Sequence, residues 1–283
     1  MKIFIYGVLL AVGLTACTEH KITTNNQDIQ MKTNKIKVIE LLNSIQSGDT
    51  RPIGYINPNK YIQHNLAVGD GLKGFGDVMK ILPKNSAKVE VIRAFEDGNF
   101  VFTHTKYDFF GKKAGFDIFR FENGQIVEHW DNLQDIVKDT ASGRTQLDGM
   151  TTIVDIEKTN SNKKLIKNFV DDILMGKNPQ KITQYISTKT YLQHNPHVKD
   201  GLKGLSEALE ELAKAGMPME YKKNHMILGE GNFVLSVSEG VFMKKHVSFY
   251  DLFRLEDGKI VEHWDTIEEI PEKSQWKNNN GKF

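Results

Sequence analysis

Asp117-Ile118-Phe119-Arg120-Phe121-Glu122-Asn123-Gly124-Gln125-Ile126-Val127-Glu128-His129-Trp130-Asp131 returns further along the chain as Asp251-Leu252-Phe253-Arg254-Leu255-Glu256-Asp257-Gly258-Lys259-Ile260-Val261-Glu262-His263-Trp264-Asp265. In each copy two apolar, aromatic-rich runs flank an Asn-Gly or Asp-Gly, the pattern of a β-hairpin. The turn Glu122-Asn123-Gly124-Gln125 suits a three-residue loop, a type I turn followed by a left-handed glycine and a bulge. That register sets Asp117 opposite His129 and Phe119 opposite Val127. Alternation then places Asp117, Phe119, Val127, His129 and Asp131 on one face, and Ile118, Arg120, Glu128 and Trp130 on the other. A two-residue turn would instead pair Asp117 with Trp130.

The repetition extends outward from the hairpin. Tyr61-Ile62-Gln63-His64-Asn65 matches Tyr191-Leu192-Gln193-His194-Asn195, and Asp70-Gly71-Leu72-Lys73-Gly74 matches Asp200-Gly201-Leu202-Lys203-Gly204. A spacing of about 130 residues is far beyond the roughly 20–50 of solenoid and propeller repeats, so it marks a duplicated domain. Val38, Leu41, Leu42 and Ile45 follow helical spacing up to Gly48, as do Ile166, Phe169, Val170 and Ile173 up to Gly176. Second helices are expected over 75–82 and 205–213. Val89 to Arg93 and Asn99 to Tyr107 read as strands before the hairpin. Helices first and an antiparallel sheet after them predict an α+β domain, twice over, with helices packed on one face of a curved sheet. The domains are placed at 35–154 and 155–283, and the polar stretch 271–283 is expected to be a surface tail.

Two carboxylates and an imidazole on one apolar face can have their proton affinities pushed apart, so that one group takes a proton while another donates one. Asp117, His129 and Asp131, with Asp251, His263 and Asp265, are therefore the candidate catalytic groups. Tyr61, His64, Asn65 and His104 in the first copy, and Tyr191, His194 and Asn195 in the second, are the candidate substrate-binding groups. His64 and Asn65 also suit a structural motif that satisfies backbone groups. Arg120 with Glu128 and Arg254 with Glu262 read as cross-strand ion pairs, and Trp130 and Trp264 as packing. A metal site built from His64, His104, His129 and Asp131 is disfavoured, because no His pair has the i, i+4 spacing of zinc helices and His104 is replaced by Val237 in the second copy. No metal and no cofactor is expected.

The Tyr-x-Gln-His-Asn, Asp-Gly-Leu-Lys-Gly and Asp-x-Phe-Arg…Ile-Val-Glu-His-Trp-Asp segments resemble the SnoaL-like group of the nuclear transport factor 2-like superfamily, over roughly residues 35–137 and 163–270. The resemblance implies two tandem cone-shaped domains, each a curved antiparallel sheet wrapped by about three helices around a pocket. It implies a small hydrophobic ligand and, in an enzyme, cofactor-independent enolisation, aldol-type or hydrolytic chemistry on a hydrophobic carbonyl compound. Asp117 and Asp251 match the position where ketosteroid isomerases carry a protonated, oxyanion-binding aspartate. The polyketide cyclases have a histidine near that position and an acid–base aspartate near Asp131 and Asp265, so this chain departs from their pattern. Single-domain relatives dimerise through their sheets, which implies an internal pseudo-dimer here. The contrasting expectation is a non-catalytic binding or scaffold protein.

Met1-Lys2, the apolar run Ile3 to Leu14 and Leu14-Thr15-Ala16-Cys17 form a secretory signal closed by the only cysteine in the chain. This matches a bacterial lipobox and predicts a lipid on Cys17, a polar tether over 18–34, and a place at the bacterial cell envelope, held to the membrane by that anchor. Removing Lys2 with the signal leaves 36 basic residues against 36 acidic ones, which argues against a nucleic-acid partner.

Overall fold

The hairpin turns on two residues rather than three. Asn123 and Gly124 both have positive φ (49° and 76°), as do Asp257 and Gly258 (49° and 70°), the requirement of a type I′ turn. Phe121 pairs with Ile126, the register then shifts by one residue at Val127, and Arg120 pairs with Glu128, Phe119 with His129 and Asp117 with Asp131. The expected pairing of Asp117 with His129 is therefore corrected by two residues. The expected face survives because a two-residue turn and a one-residue bulge together preserve parity. Asp117, Phe119, His129 and Asp131 point the same way, and Val127 sits in the bulge. The second hairpin repeats this, with Asp251 opposite Asp265 and the shift at Val261.

The computed structural model describes residues 32–83 and 86–283. The signal, Cys17 and nearly all of the tether lie outside the described residues. In the first repeat α1 (Asn34–Ser47) starts at a cap where Thr33 accepts from the Ile36 amide, and it stops at Gly48 in the left-handed conformation. A 3₁₀ turn, β1 (Ile62–Gln63), α2 (Gly71–Ile81), β2 (Lys88–Asp97), β3 (Phe100–Asp108), β4 (Lys112–Glu122) and β5 (Gln125–Asp135) follow. The second repeat runs α3 (Thr159–Phe169), a π turn over Val170–Leu174, α4 (Ile182–Tyr185), β6 (Leu192–Gln193), α5 (Gly201–Lys214), β7 (Glu220–Glu230), β8 (Phe233–Phe242), β9 (Lys245–Glu256) and β10 (Lys259–Glu269). The sheets are ordered β1-β5-β4-β3-β2 and β6-β10-β9-β8-β7. Both are mixed rather than wholly antiparallel. The Tyr-x-Gln-His-Asn segment forms the short β1, which lies parallel to β5 with Gln63 beside His129, and β6 does the same beside β10.

Each sheet packs its inner face on its own helices. Val38, Leu41 and Leu42 of α1 meet Val101, Phe119 and Phe121, and Ile166, Phe169 and Val170 meet Val234 and Phe253. The opposite faces share one core, in which Phe102, Phe116, Ile118 and Trp130 pack with Phe233, Leu235, Tyr250, Leu252 and Trp264. Burial of each such side chain is worth about 1.5–3 kcal/mol. Pairs of equivalent groups cross between the repeats. Glu230 accepts from the Glu96 amide and Lys35, while Asp97 accepts from the Gly229 amide and Lys163.

The segments after the two hairpins are also exchanged. The connector beyond β5 lies on the second repeat, where Ala141 donates to the Pro196 carbonyl and Ser142 to that of Gln193. The tail beyond β10 lies on the first repeat. There Asn278 donates to the carbonyls of Asn65 and Val68, and Asn280 to the Gln63 carbonyl and the Asp70 carboxylate. The tail is thus no free surface segment: Asn278 and Lys282 are buried. Its asparagines supply donors to loop carbonyls of the other repeat, a use that polar composition alone does not reveal.

Candidate functional site

Beneath α1 and α2 the first sheet leaves a cavity of about 270 Å³. Leu41, Ile45, Phe75, Val78, Phe109 and Phe119 form its apolar wall, and Tyr61, Gln63, Asn65, Asp117, His129 and Asp131 its polar floor. The polar groups form one connected network. The Gln63 side-chain oxygen accepts from the Asn65 amide at 2.8 Å and lies 3.0 Å from His129 Nδ1. An oxygen identified by an amide donor requires Nδ1 to carry a proton. Nε2 then faces Asp117 Oδ1 at 3.3 Å, and one proton between them satisfies both groups. The pair is either imidazolium with carboxylate or imidazole with carboxylic acid. Asp117 Oδ2 accepts from Tyr107 at 2.6 Å and from Thr103 at 3.3 Å.

Asp131 is held from one side only. Its Oδ2 accepts from the Asn65 side chain at 2.6 Å. Its Oδ1 is buried without a hydrogen bond from the described residues, and Lys282 Nζ from the tail stands 3.8 Å away. Lys282 donates instead to the Asp131 carbonyl at 2.8 Å and to Glu268 at 2.5 Å. Burial raises the Glu268 carboxyl above the usual range, with Lys282 opposing it.

The second repeat holds the same trio. Gln193 accepts from the Asn195 amide and lies 3.0 Å from His263 Nδ1, and His263 Nε2 is 3.1 Å from Asp251. Asn195 donates to Asp265 Oδ2 at 2.7 Å, and Asp265 Oδ1 also has no hydrogen bond from the described residues. Burial works against the charge on His263, but the Asp251 hydrogen bond and the charges of Asp265 and Asp251 outweigh it and raise its proton affinity. Burial raises Asp265, with His263 pulling the other way. In each trio one ligating atom per residue lies within 4.8 Å of the other two, a donor set able to hold a metal ion.

The expected binding groups divide. Tyr61 and Asn65 line the cavity, and burial with the nearby Asp131 and Asp117 charges keeps the Tyr61 hydroxyl protonated. Tyr191 is buried and held protonated in the same way by burial, Asp265 and Asp251. His64 and His194 do not face the cavity. Period-two alternation turns them to the opposite side, where they stack on Trp130 and Trp264. His64 bridges Glu128 to the Gly281 carbonyl of the tail, and His194 bridges Glu262 to the Thr145 carbonyl of the connector. Those glutamates also pair with Arg120 and Arg254. His104 is on that side too, stacked on Phe116 with Nδ1 3.1 Å from Arg93. Burial, together with the charge of Arg93, lowers its proton affinity well below the usual value.

Two site residues escaped the sequence reading. Tyr107 on β3 and Tyr221 on β7 both donate to the first aspartate, Tyr221 at 3.1 and 3.2 Å from Asp251. They do not align with each other. Val89 pairs with Tyr107, whereas Tyr221 pairs with Gly240, so the hydroxyl has moved to the neighbouring strand. A third position moves with them. Gly115 makes room for Tyr107, and its equivalent, Phe249, stacks on Tyr221. The only signal was a tyrosine on one of two facing positions in each copy, visible once the strands are paired.

No family model and no curated protein matches the chain. Solved structures similar to it include an NTF2-like protein from Cytophaga hutchinsonii, at 17% identity and TM-score 0.32, covering 36% of this chain and 90% of that one. A SnoaL-like polyketide cyclase from Agrobacterium tumefaciens is similar at 10% identity and TM-score 0.29, covering 38% of this chain and 91% of that one.

Proposed function

We propose that the first repeat binds a small hydrophobic carbonyl compound and transfers protons at the carbon beside the carbonyl. The observation that carries this reading is the buried Asp131 Oδ1, which accepts no hydrogen bond from the described residues, at the floor of an apolar cavity beside a His129–Asp117 pair that shares one proton. Asp131 takes the proton from carbon. The Tyr61 hydroxyl, kept protonated by burial and the nearby carboxylates, supplies a hydrogen bond to the enolate oxygen, where the charge develops. Neither step requires a cofactor. Incubation of the protein with a panel of hydrophobic ketones in deuterated water, followed by proton NMR, tests it. Wild type should exchange α-protons, and Asp131→Asn should slow exchange by about 10²–10⁴-fold with the fold retained. Equal exchange in the variant would refute the role of Asp131.

A second reading has its own support. The core shared between the sheets and the exchanged segments suit an internal pseudo-dimer whose purpose is binding or scaffolding. Ligand retention without exchange would favour it.

The signal sequence supports a bacterial envelope protein held by lipid on Cys17. Growth with labelled palmitate should mark the wild type and leave Cys17→Ser unlabelled and released from membranes.

A further inference from the structure

We propose that the second repeat binds a divalent metal ion through Asp251, His263 and Asp265, independently of the ligand reading of the first repeat. His263 Nε2 and Asp251 Oδ1 are 3.1 Å apart, the separation expected of two neighbouring ligands about 2.1 Å from one ion. The independent mark of a ligand is Asp265 Oδ1. The residue is 7% exposed, and this oxygen accepts no hydrogen bond from the described residues, an arrangement that is costly unless something positive fills the gap.

The surroundings already hold these groups as a metal's outer partners would. His263 gives its Nδ1 proton to the Gln193 oxygen, which presents Nε2 to the site. Asn195 fixes Asp265 through Oδ2 and leaves Oδ1 open, and Tyr221 steadies Asp251. Two carboxylates and one imidazole suit Mn²⁺, Fe²⁺ or Zn²⁺.

The first repeat has the same trio, but a lysine stands beside its second aspartate. Lys282 Nζ, 3.8 Å from Asp131 Oδ1, already places a positive charge there. The tail residue before it, Gly281, accepts from His64 as Thr145 of the connector accepts from His194, so Gln146 is the counterpart of Lys282. Gln146 is neutral, and its amide is engaged by Val137 and Asp135. The ion is therefore assigned to the second repeat alone.

The full-length protein in mild detergent, freed of metal with EDTA, is titrated with MnCl₂ by electron paramagnetic resonance and with ZnCl₂ by calorimetry. One ion per chain is expected. Asp265→Asn and His263→Gln should each weaken binding by about 100-fold or more, and Asp131→Asn should leave it unchanged. Lys282→Met should raise the stoichiometry from one to two. The absence of saturable binding at millimolar ion overturns the site, as does binding that survives both Asp265→Asn and His263→Gln. A wild type that binds two ions, or a Lys282→Met protein that still binds one, overturns the role given to Lys282. Should the site variants melt early, the rise in melting temperature of the wild type with added Mn²⁺ decides the matter, and no rise counts against the proposal.

Discussion

Two buried histidines titrate in opposite directions, and each leaves a mark on stability. His263 is raised against burial by its aspartates. Its stabilisation is therefore full below the ordinary histidine value of about 6.5 and is lost as pH rises through the folded value. His104 is held neutral by burial beside Arg93. Its unfolded form gains a proton that its folded form refuses, so its stabilisation is full above the ordinary value and fades as pH falls below it. Melting temperatures of the EDTA-treated protein across this window should show His263→Gln losing stability mainly on the acid side. His104→Val, which copies Val237 of the second repeat, should flatten the acid limb. Parallel curves for the variants and wild type would contradict both assignments. That His129 and His263 share a face with the aspartates was legible in the sequence. That His64 and His104 turn the other way was not, because their neighbours Trp130, Glu128 and Arg93 are reached only after the strands pair.

At the scale of the strand pair, the two repeats solve one packing problem in two ways. Val89, Tyr107 and Gly115 correspond to Tyr221, Gly240 and Phe249. A Cβ on Gly115 would come within 2.4 Å of Leu133 and 3.0 Å of Tyr107. Gly115→Phe alone should therefore destabilise by about 1–3 kcal/mol or more through overpacking. Adding Tyr107→Gly and Val89→Tyr should recover most of that loss, as thermal melts would show. A triple variant no more stable than the single one would mean the three positions are not a unit. The helices, the strands and the inward face of the hairpin were readable from periodicity. The register was not, since Asn123-Gly124 permits either loop and the bulge at Val127 has no composition of its own. The tyrosine exchange was hidden for a related reason: it conserves a hydroxyl in space and not at a position.

Across the whole chain, each repeat is finished by residues of the other. The tail binds the loop that carries Gln63 and Asn65, the same loop that orients His129 and Asp131. Removal of residues 277–283 should raise amide hydrogen exchange over 61–70 and leave 191–200 protected, because the connector still covers the latter. Equal protection at both loops would show the tail to be incidental. The duplication was plain in the sequence. The exchange of segments was not, because Asn278, Asn280 and Lys282 look like any polar terminus until their partners, more than 150 residues earlier in the chain, are in place.

That distance sets a timetable. Asp131 leaves the ribosome 151 residues before Lys282, a lag of roughly 8–30 s at about 5–20 residues per second. The second repeat receives its connector before its own strands exist, and so can complete itself as it is made. The first half to be synthesised is the last to be finished, and a nascent chain stalled short of residue 277 would hold a first site with its floor loop untied.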